Sequence, residues 1–245
     1  MLSNQSNKLA IVTGASGGIG IEIAQAFLEQ DYHVVGIDKN NCDLVHEQYV
    51  HYSCDVRDFN RLHHLIEQLD FQEHNALVNC VGIREICSIS DLSVEKWQEV
   101  MDVNVSSVFV ASKAFAEKIK NNEDISGAIV NIASVSGLLG EPDRTAYVTS
   151  KHAVIGLTKQ LAIEYSKFGI RANAVAPGVI RTPLTEQYFD DSEQLEKIRS
   201  GQFINHFATP KDITPLVMFL ISQHAQFITG STMTADGGWT AGKLI

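Results

Sequence analysis

The chain has 245 residues, 44% of them hydrophobic and 20% charged, with a formal net charge of -10. This size and balance suit one globular α/β domain with a sizeable core and exclude long disordered segments. The acidity excludes a nucleic-acid surface, which needs clustered Lys and Arg, but not an anionic cofactor, which backbone N–H groups at a helix start can hold. The cysteines Cys42, Cys54, Cys80 and Cys87 lack the paired short spacing of a zinc site and read as free thiols, so no metal is expected. No basic-then-apolar leader opens the chain and no apolar run reaches membrane-spanning length, so a cytoplasmic protein without a membrane partner is expected.

Lys8 to Thr13 reads as a short buried strand, followed by the glycine-rich Thr13–Gly20 (TGASGGIG) and an apolar helical pattern through Gln30. Gly14 permits a sharp exit from the strand, while Gly18 and Gly20 allow close backbone approach. A helix starting near Gly18 offers free N–H groups and a positive dipole end to a pyrophosphate. His33 to Asp38 is a second strand ending in a carboxylate, Asp38, eighteen residues after Gly20. An acid there accepts hydrogen bonds from the adenosine ribose and repels a 2′-phosphate, so NAD(H) is expected over NADP(H), with Lys39 beside it partly opposing that repulsion. Asn40 to Gln48 shows no amphipathic helix, so the crossover to a third strand, Tyr49 to Cys54, is reduced to a turn. Asp55 and Val56 follow at the strand end, where an acceptor would meet an adenine amino group. Phe59 to Leu69 is helical, with His63 and His64 on its solvated side. Asn75 to Val81 is a fourth strand running into Gly82, where backbone can approach a ribose.

Val94 to Lys120 reads as one long helix with the polar Asn104 among apolar positions, a cost unless its amide is bonded. Gly127 to Ala133 is a fifth strand that delivers Ser134 at its carboxyl end, the edge where ligands bind in open α/β sheets. Tyr147 and Lys151 lie four apart at the start of another helical pattern, so phenol and ammonium share one face. The ammonium is expected to lower a tyrosine pKa that starts at about 10, which suits proton transfer near neutral pH. Ile170 to Ala176 is a sixth strand, Pro210 through Leu220 a helix, and Thr229 to Thr234 leads into a seventh strand before Asp236-Gly-Gly238. Thr185 to His206 carries mixed charge and aromatics, including Tyr188 and Phe189.

The joint pattern resembles the short-chain dehydrogenase/reductase family, in its single-domain branch. Thr13, Gly14, Gly18 and Gly20 match its Thr-Gly-x-x-x-Gly-x-Gly, and Asn79-Cys80-Val81-Gly82 its Asn-Asn-Ala-Gly, with Cys80 and Val81 departing from it. Ser134 stands thirteen residues before Tyr147, the family's spacing. The resemblance implies that Ser134 holds the substrate oxygen and that Tyr147 exchanges the proton. It implies that Lys151 keeps Tyr147 acidic and anchors the nicotinamide ribose. It further implies that Asn104 kinks its helix and holds a water leading to Lys151. Ser16, Ile19, Asp55, Val56, Asn79 and Gly82 are implied on the cofactor, as are Pro177, Gly178 and Ile180, with Thr182 on the carboxamide.

The expected fold is a doubly wound three-layer Rossmann domain over 1–245, with a seven-stranded parallel sheet in the order 3-2-1-4-5-6-7 and a substrate lid at about 183–208. The expected activity is NAD-dependent interconversion of a secondary alcohol and a ketone. A 3-oxoacyl-thioester reductase and a non-catalytic nicotinamide-binding sensor or scaffold stand as alternatives. Arg84 is open to an anionic substrate group or to solvent. Family relatives form tetramers, so a homotetramer is expected, with the ending Trp239–Ile245 as a subunit contact.

Overall fold

The computed structural model describes residues 7–242. Seven strands pair in parallel: β1 (Lys8–Thr13), β2 (His33–Asp38), β3 (Tyr49–Ser53), β4 (His74–Asn79), β5 (Ser126–Ile132), β6 (Ile170–Pro177) and β7 (Thr232–Ala235). Their order across the sheet is β3-β2-β1-β4-β5-β6-β7, as the sequence predicts. The helices are α1 (Gly18–Glu29), α2 (Phe59–Glu67), α3 (Val94–Met101), α4 (Ser107–Ile119), α5 (Thr145–Tyr165), α6 (Glu186–Phe189), α7 (Ser192–Gly201) and α8 (Pro210–Ile221).

The period of two in a strand sends alternate side chains to opposite faces, and both faces are covered. Ala10 and Val12 of β1 pack under Ile23 and Phe27 of α1 and Ile213 and Val217 of α8. Leu9 and Ile11 pack on the other side with Leu62 and Ile66 of α2, Phe115 of α4 and Leu161 of α5. The registers Thr13↔Asn79 and Asn79↔Asn131 bring the carboxyl ends of β1, β4 and β5 level. From β1 the chain winds one way to β2 and β3, and from β4 it winds the other way. The crevice between those directions is where an open α/β sheet binds its ligand.

The crossover between β2 and β3 carries no helix, as expected, and Tyr49 fills part of the space. A Cβ placed on Gly36 would come 2.1 Å from the Tyr49 hydroxyl oxygen. One expectation needs correcting. The segment Val94–Lys120 is not one regular helix, because a π-helical turn, Asp102–Ser106, separates α3 from α4. One extra residue in a turn rotates the side chains that follow, and here it seats Asn104 inside. Trp239 packs within the chain, its ring 2.1 Å from where a Cβ on Gly201 would lie. Thr240 is bonded to Asp236 within the chain, and the last three residues of the expected subunit contact, 243–245, lie outside the described residues, as does the stretch 1–6. Among the described residues no helix is long and apolar enough to cross a membrane, and no cluster of His, Cys, Asp and Glu could hold a metal.

Candidate active site

The end of β1 is a place for glycine alone. Gly14 has φ of 73°, and a Cβ there would meet the Val81 nitrogen at 2.9 Å. α1 then starts without a side-chain cap, its N-cap Gly17 extended and nothing within 4 Å of where a Cβ on Gly17 would stand. Uncapped N–H groups facing open space make a seat for a phosphate. Gly20 serves packing instead, since a Cβ on it would lie 2.1 Å from the Gly14 carbonyl oxygen, and its absence lets helix lie close against strand.

A cavity of about 430 Å³ runs along this edge, with Gly14, Ser16, Gly18, Ile19, Asp38, Asp55, Val56, Gly82 and Thr182 on its walls. These residues fit the adenosine and pyrophosphate parts of a dinucleotide. Asp38 accepts the backbone N–H of Ser16 at 3.2 Å and of Asn40 at 2.9 Å, which fixes its carboxylate at the wall. Asp55 already has a partner: Arg57 donates to it through Nη2 at 2.6 Å and through Nε at 3.1 Å to each oxygen. That guanidinium holds the Asp55 carboxyl below the usual carboxylate range and competes with an adenine amino group for it.

Four of the expected cofactor residues lie outside this cavity's walls. Asn79 is buried in the sheet, its amide donating to Asn131 at 2.8 Å and Ser112 at 3.1 Å, and does not line the cavity. Gly178 and Ile180 line a second cavity of about 260 Å³, with Asp212 and Asp236. Pro177 ends β6.

The candidate reacting groups gather where β5 ends. Ser134 donates to the Ser136 hydroxyl at 3.1 Å, and Ser136 in turn donates to Glu141 at 2.7 Å. Tyr147 and Lys151 lie in the first two turns of α5, with Lys151 Nζ 5.7 Å from the Tyr147 ring centre. The ammonium donates to the Ile132 carbonyl at 2.9 Å, and a Cβ on Gly82 would sit 3.4 Å from it. Gly82, on the cavity wall, thus lets the backbone come close to the buried ammonium.

The expectation of an acidic phenol is not met by the chain alone. Burial raises the Tyr147 pKa above its ordinary value; a hydrogen bond with Ser134 opposes this, Glu141 adds to it, and the positive charges of Arg84 and Arg144 oppose it. Lys151 is itself desolvated, with its pKa lowered to about 8 by burial.

Asn104 is fully buried, and its amide grips one residue from two sides. Its oxygen accepts the Ile83 N–H and its nitrogen donates to the Ile83 carbonyl, both at 2.8 Å. The nitrogen also donates to Ser150 at 2.9 Å, and Ser150 donates to the Tyr147 carbonyl at 2.7 Å. Its side chain thus braces Ile83 and α5, with its oxygen 3.6 Å and Lys151 Nζ 3.4 Å from where a Cβ on Gly82 would stand.

Glu85 and Arg144 brace the candidate site and are passed over by motif reading. Glu85 is 5% exposed and accepts the N–H groups of Ala146 and Tyr147 at the start of α5. Arg144 donates to the Glu85 carbonyl at 3.3 Å, and the Cys87 N–H donates to the Asp143 carbonyl at 3.0 Å, which stitches the segment after Gly82 to the start of α5. The available signal was the charged pair Arg84-Glu85 inside an apolar run, and a second arginine three residues before Tyr147.

A family profile described as Enoyl-(Acyl carrier protein) reductase matches residues 14–240. The chain is 32% identical over 250 residues to cyclopentanol dehydrogenase of Comamonas sp. (strain NCIMB 9872), covering 96% of this chain and 98% of that one. The solved structure of 4-hydroxyisoleucine dehydrogenase complexed with NADH is 43% identical, with a TM-score of 0.91 over 96% of this chain and 100% of that one. That protein has also been solved with NADH and succinate, at 42% identity and a TM-score of 0.87 over 95% of this chain and 100% of that one. ElxO with NADP bound is similar as well, at 30% identity and a TM-score of 0.85 over 96% of this chain and 99% of that one. With the glycine cradle, the strand order and these likenesses together, the chain belongs to the short-chain dehydrogenase/reductase family.

Proposed function

We propose that this chain is a nicotinamide-dependent dehydrogenase that interconverts a secondary alcohol and a ketone, with NAD(H) preferred. The observation that carries the reading is the meeting of Ser134, Tyr147 and Lys151 at the carboxyl end of β5, beside the glycine cradle. Ser134 binds the substrate oxygen and holds it against the Tyr147 phenol. Tyr147 takes the alcohol proton in oxidation and returns it in reduction. Lys151, held by the Ile132 carbonyl and close to Gly82, places its charge between the phenol and the ribose. Asn104 holds this geometry through Ile83 and Ser150. The nicotinamide, when bound, supplies the hydride acceptor or donor.

Gly14, Ser16, Gly18 and Ile19 would seat the pyrophosphate, Asp38 the adenosine ribose, Val56 and Asp55 the adenine, and Gly82 and Thr182 the nicotinamide half. A fixed carboxylate at Asp38 supports NAD(H), because a 2′-phosphate would face it unpaired. Residues 183–208 act as a lid, a reading supported by the bonds from Arg84 to the Leu184 carbonyl and from Arg144 to the Tyr188 hydroxyl. Assembly into a homotetramer is supported by the exposed Phe109 of α4 and Ile163 of α5, and sedimentation as a stable monomer would exclude it. Free thiols at all four cysteines fit a cytoplasmic setting.

The test is Tyr147→Phe. In an enzyme it lowers kcat by about 10³-fold, within the range for losing a general acid–base group, while NADH affinity stays close to that of the unaltered protein. Nicotinamide binding by the unaltered chain, with no turnover across a broad panel of alcohols and ketones, would instead mark a sensor or scaffold.

A further inference from the structure

Two guanidinium groups converge on one aromatic ring at the mouth of the site. Arg84 Cζ lies 4.4 Å from the centre of the Tyr188 ring and Arg144 Cζ lies 5.7 Å from it. Arg144 also donates to the Tyr188 hydroxyl, and its side chain is only 16% exposed. Like charges this near each other in a half-buried place repel, and water screens them poorly. Burial and the neighbouring Arg144 lower the Arg84 pKa, though a guanidinium remains charged.

The local acids do not balance this charge. Glu141 lies 3.5 Å from Arg144 Nε and also accepts the Ser136 hydroxyl. Glu85 is turned away, onto the backbone N–H groups of α5. Among the described residues Arg84 forms no ion pair; it donates to the Leu184 carbonyl and lies against Tyr188. A positively charged fork is thus left facing the reacting phenol, with one negative charge fewer than it can take. Arg144 lies three residues before Tyr147 and meets Glu141, which accepts from the Ser136 hydroxyl that Ser134 donates to, so the fork stands beside Ser134 and Tyr147.

We propose that Arg84 and Arg144 bind the carboxylate of the substrate, so that the alcohol oxidised is a short hydroxy acid rather than a neutral alcohol. The proposal deepens the dehydrogenase reading and rests on it for the reaction. A planar guanidinium matches a carboxylate with two parallel N–H donors, and such charge-assisted bonds are among the strongest in proteins. The carboxylate is not consumed; it fixes the distance and angle at which the hydroxyl-bearing carbon meets Ser134 and Tyr147. Tyr188, on the segment read as a lid, covers the fork with its ring, and the Arg144 donor now on its hydroxyl is available to the incoming oxygen. The same fork serves a hydroxy acid with or without an amino substituent, since the shared group is the carboxylate.

The experiment compares 3-hydroxybutyrate and 4-hydroxypentanoate with 2-butanol and 2-pentanol, using NAD, in the unaltered chain and in Arg84→Gln and Arg84→Lys. Arg84 is chosen because Arg144 also braces the start of α5. The expected result is a preference for the acids in the unaltered chain. The ratio of kcat/KM for acid over neutral alcohol should fall about 100-fold in Arg84→Gln, as for truncation of one partner of a charge pair, with Arg84→Lys between. Succinate should bind the NADH-loaded chain by calorimetry and bind Arg84→Gln about tenfold or more weakly. An equal or higher efficiency on the neutral alcohols overturns the proposal, as does a ratio unchanged in Arg84→Gln. If no alcohol is turned over, the dehydrogenase reading fails. Succinate then judges the fork by itself: binding lost in Arg84→Gln sustains it, and no binding or unaltered binding ends it.

Discussion

The Glu85 carboxylate accepts the backbone N–H of Tyr147 on both of its oxygens, at 3.1 and 3.0 Å. The residue before α5, Arg144, offers no side-chain cap, so an acid from a different loop meets the positive end of the helix. Glu85→Ala should destabilise the fold by roughly 2 kcal/mol, the range of a lost charged cap, and lower kcat by letting Tyr147 shift. Glu85→Gln keeps an acceptor and should recover part of both. Thermal unfolding and turnover measured together check this; an alanine variant with unaltered stability would show that the cap is dispensable.

Lys151 is buried with its pKa lowered to about 8, so keeping it protonated works against folding at neutral pH. The unfolded lysine, near 10.5, holds its proton over the whole window from about 8 to 10.5 in which the folded one releases it. Stability attributable to this group therefore rises with pH across that window, and the penalty is complete below about 8. Lys151→Met should be more stable than the unaltered chain at pH 7, by on the order of 1–3 kcal/mol, and the advantage should vanish toward pH 10.5. Denaturant unfolding at the two pH values reads the difference. A methionine variant less stable at pH 7 would mean that the bond to the Ile132 carbonyl outweighs desolvation.

Asn104 satisfies both backbone groups of Ile83 from within a π-helical turn. Asn104→Ala leaves a buried N–H and a buried carbonyl unpaired, so a loss of roughly 2–4 kcal/mol is expected. Activity should fall as well, because Ser150 and through it the Tyr147 carbonyl lose their brace. Hydrogen exchange at the Ile83 amide is the direct probe and should accelerate markedly in the variant.

Asp38→Asn removes the charge and keeps an oxygen for only one of the Ser16 and Asn40 N–H groups, which Asp38 accepts on different oxygens. Use of NADP relative to NAD, read from the two kcat/KM values, should rise by about tenfold or more as the repulsion of a 2′-phosphate is lifted. An unmoved ratio would take away the electrostatic basis for the NAD assignment.

Most strands were legible as short apolar runs and several helices as amphipathic repeats, while the strand order followed from the family resemblance. The cradle was legible because Gly14 occupies a conformation closed to other residues. Motif spacing placed Ser134, Tyr147 and Lys151 at one strand end. It did not give their ionisation, which depends on how much water surrounds Tyr147 and Lys151, and burial is a property of the assembled layers. The π-helical turn was hidden because one additional residue in a long apolar pattern barely changes its periodicity. Asn79 fitted a cofactor motif, yet its amide lies between strands, holding Asn131. Glu85 and Arg144 belong to no motif; their meeting required residues some sixty positions apart to be stitched together.

Between β2 and β3 a loop and the Tyr49 ring stand where a covering helix could have been. The wall beside Asp38 is consequently a loop, tied back through Asn40 to Ser16, through Cys42 to Ala15 and through Leu44 and Tyr49 to the core. Replacements at the exposed positions of 39–48 can therefore alter the surface beside Asp38 while Leu44 and Tyr49 keep their packing.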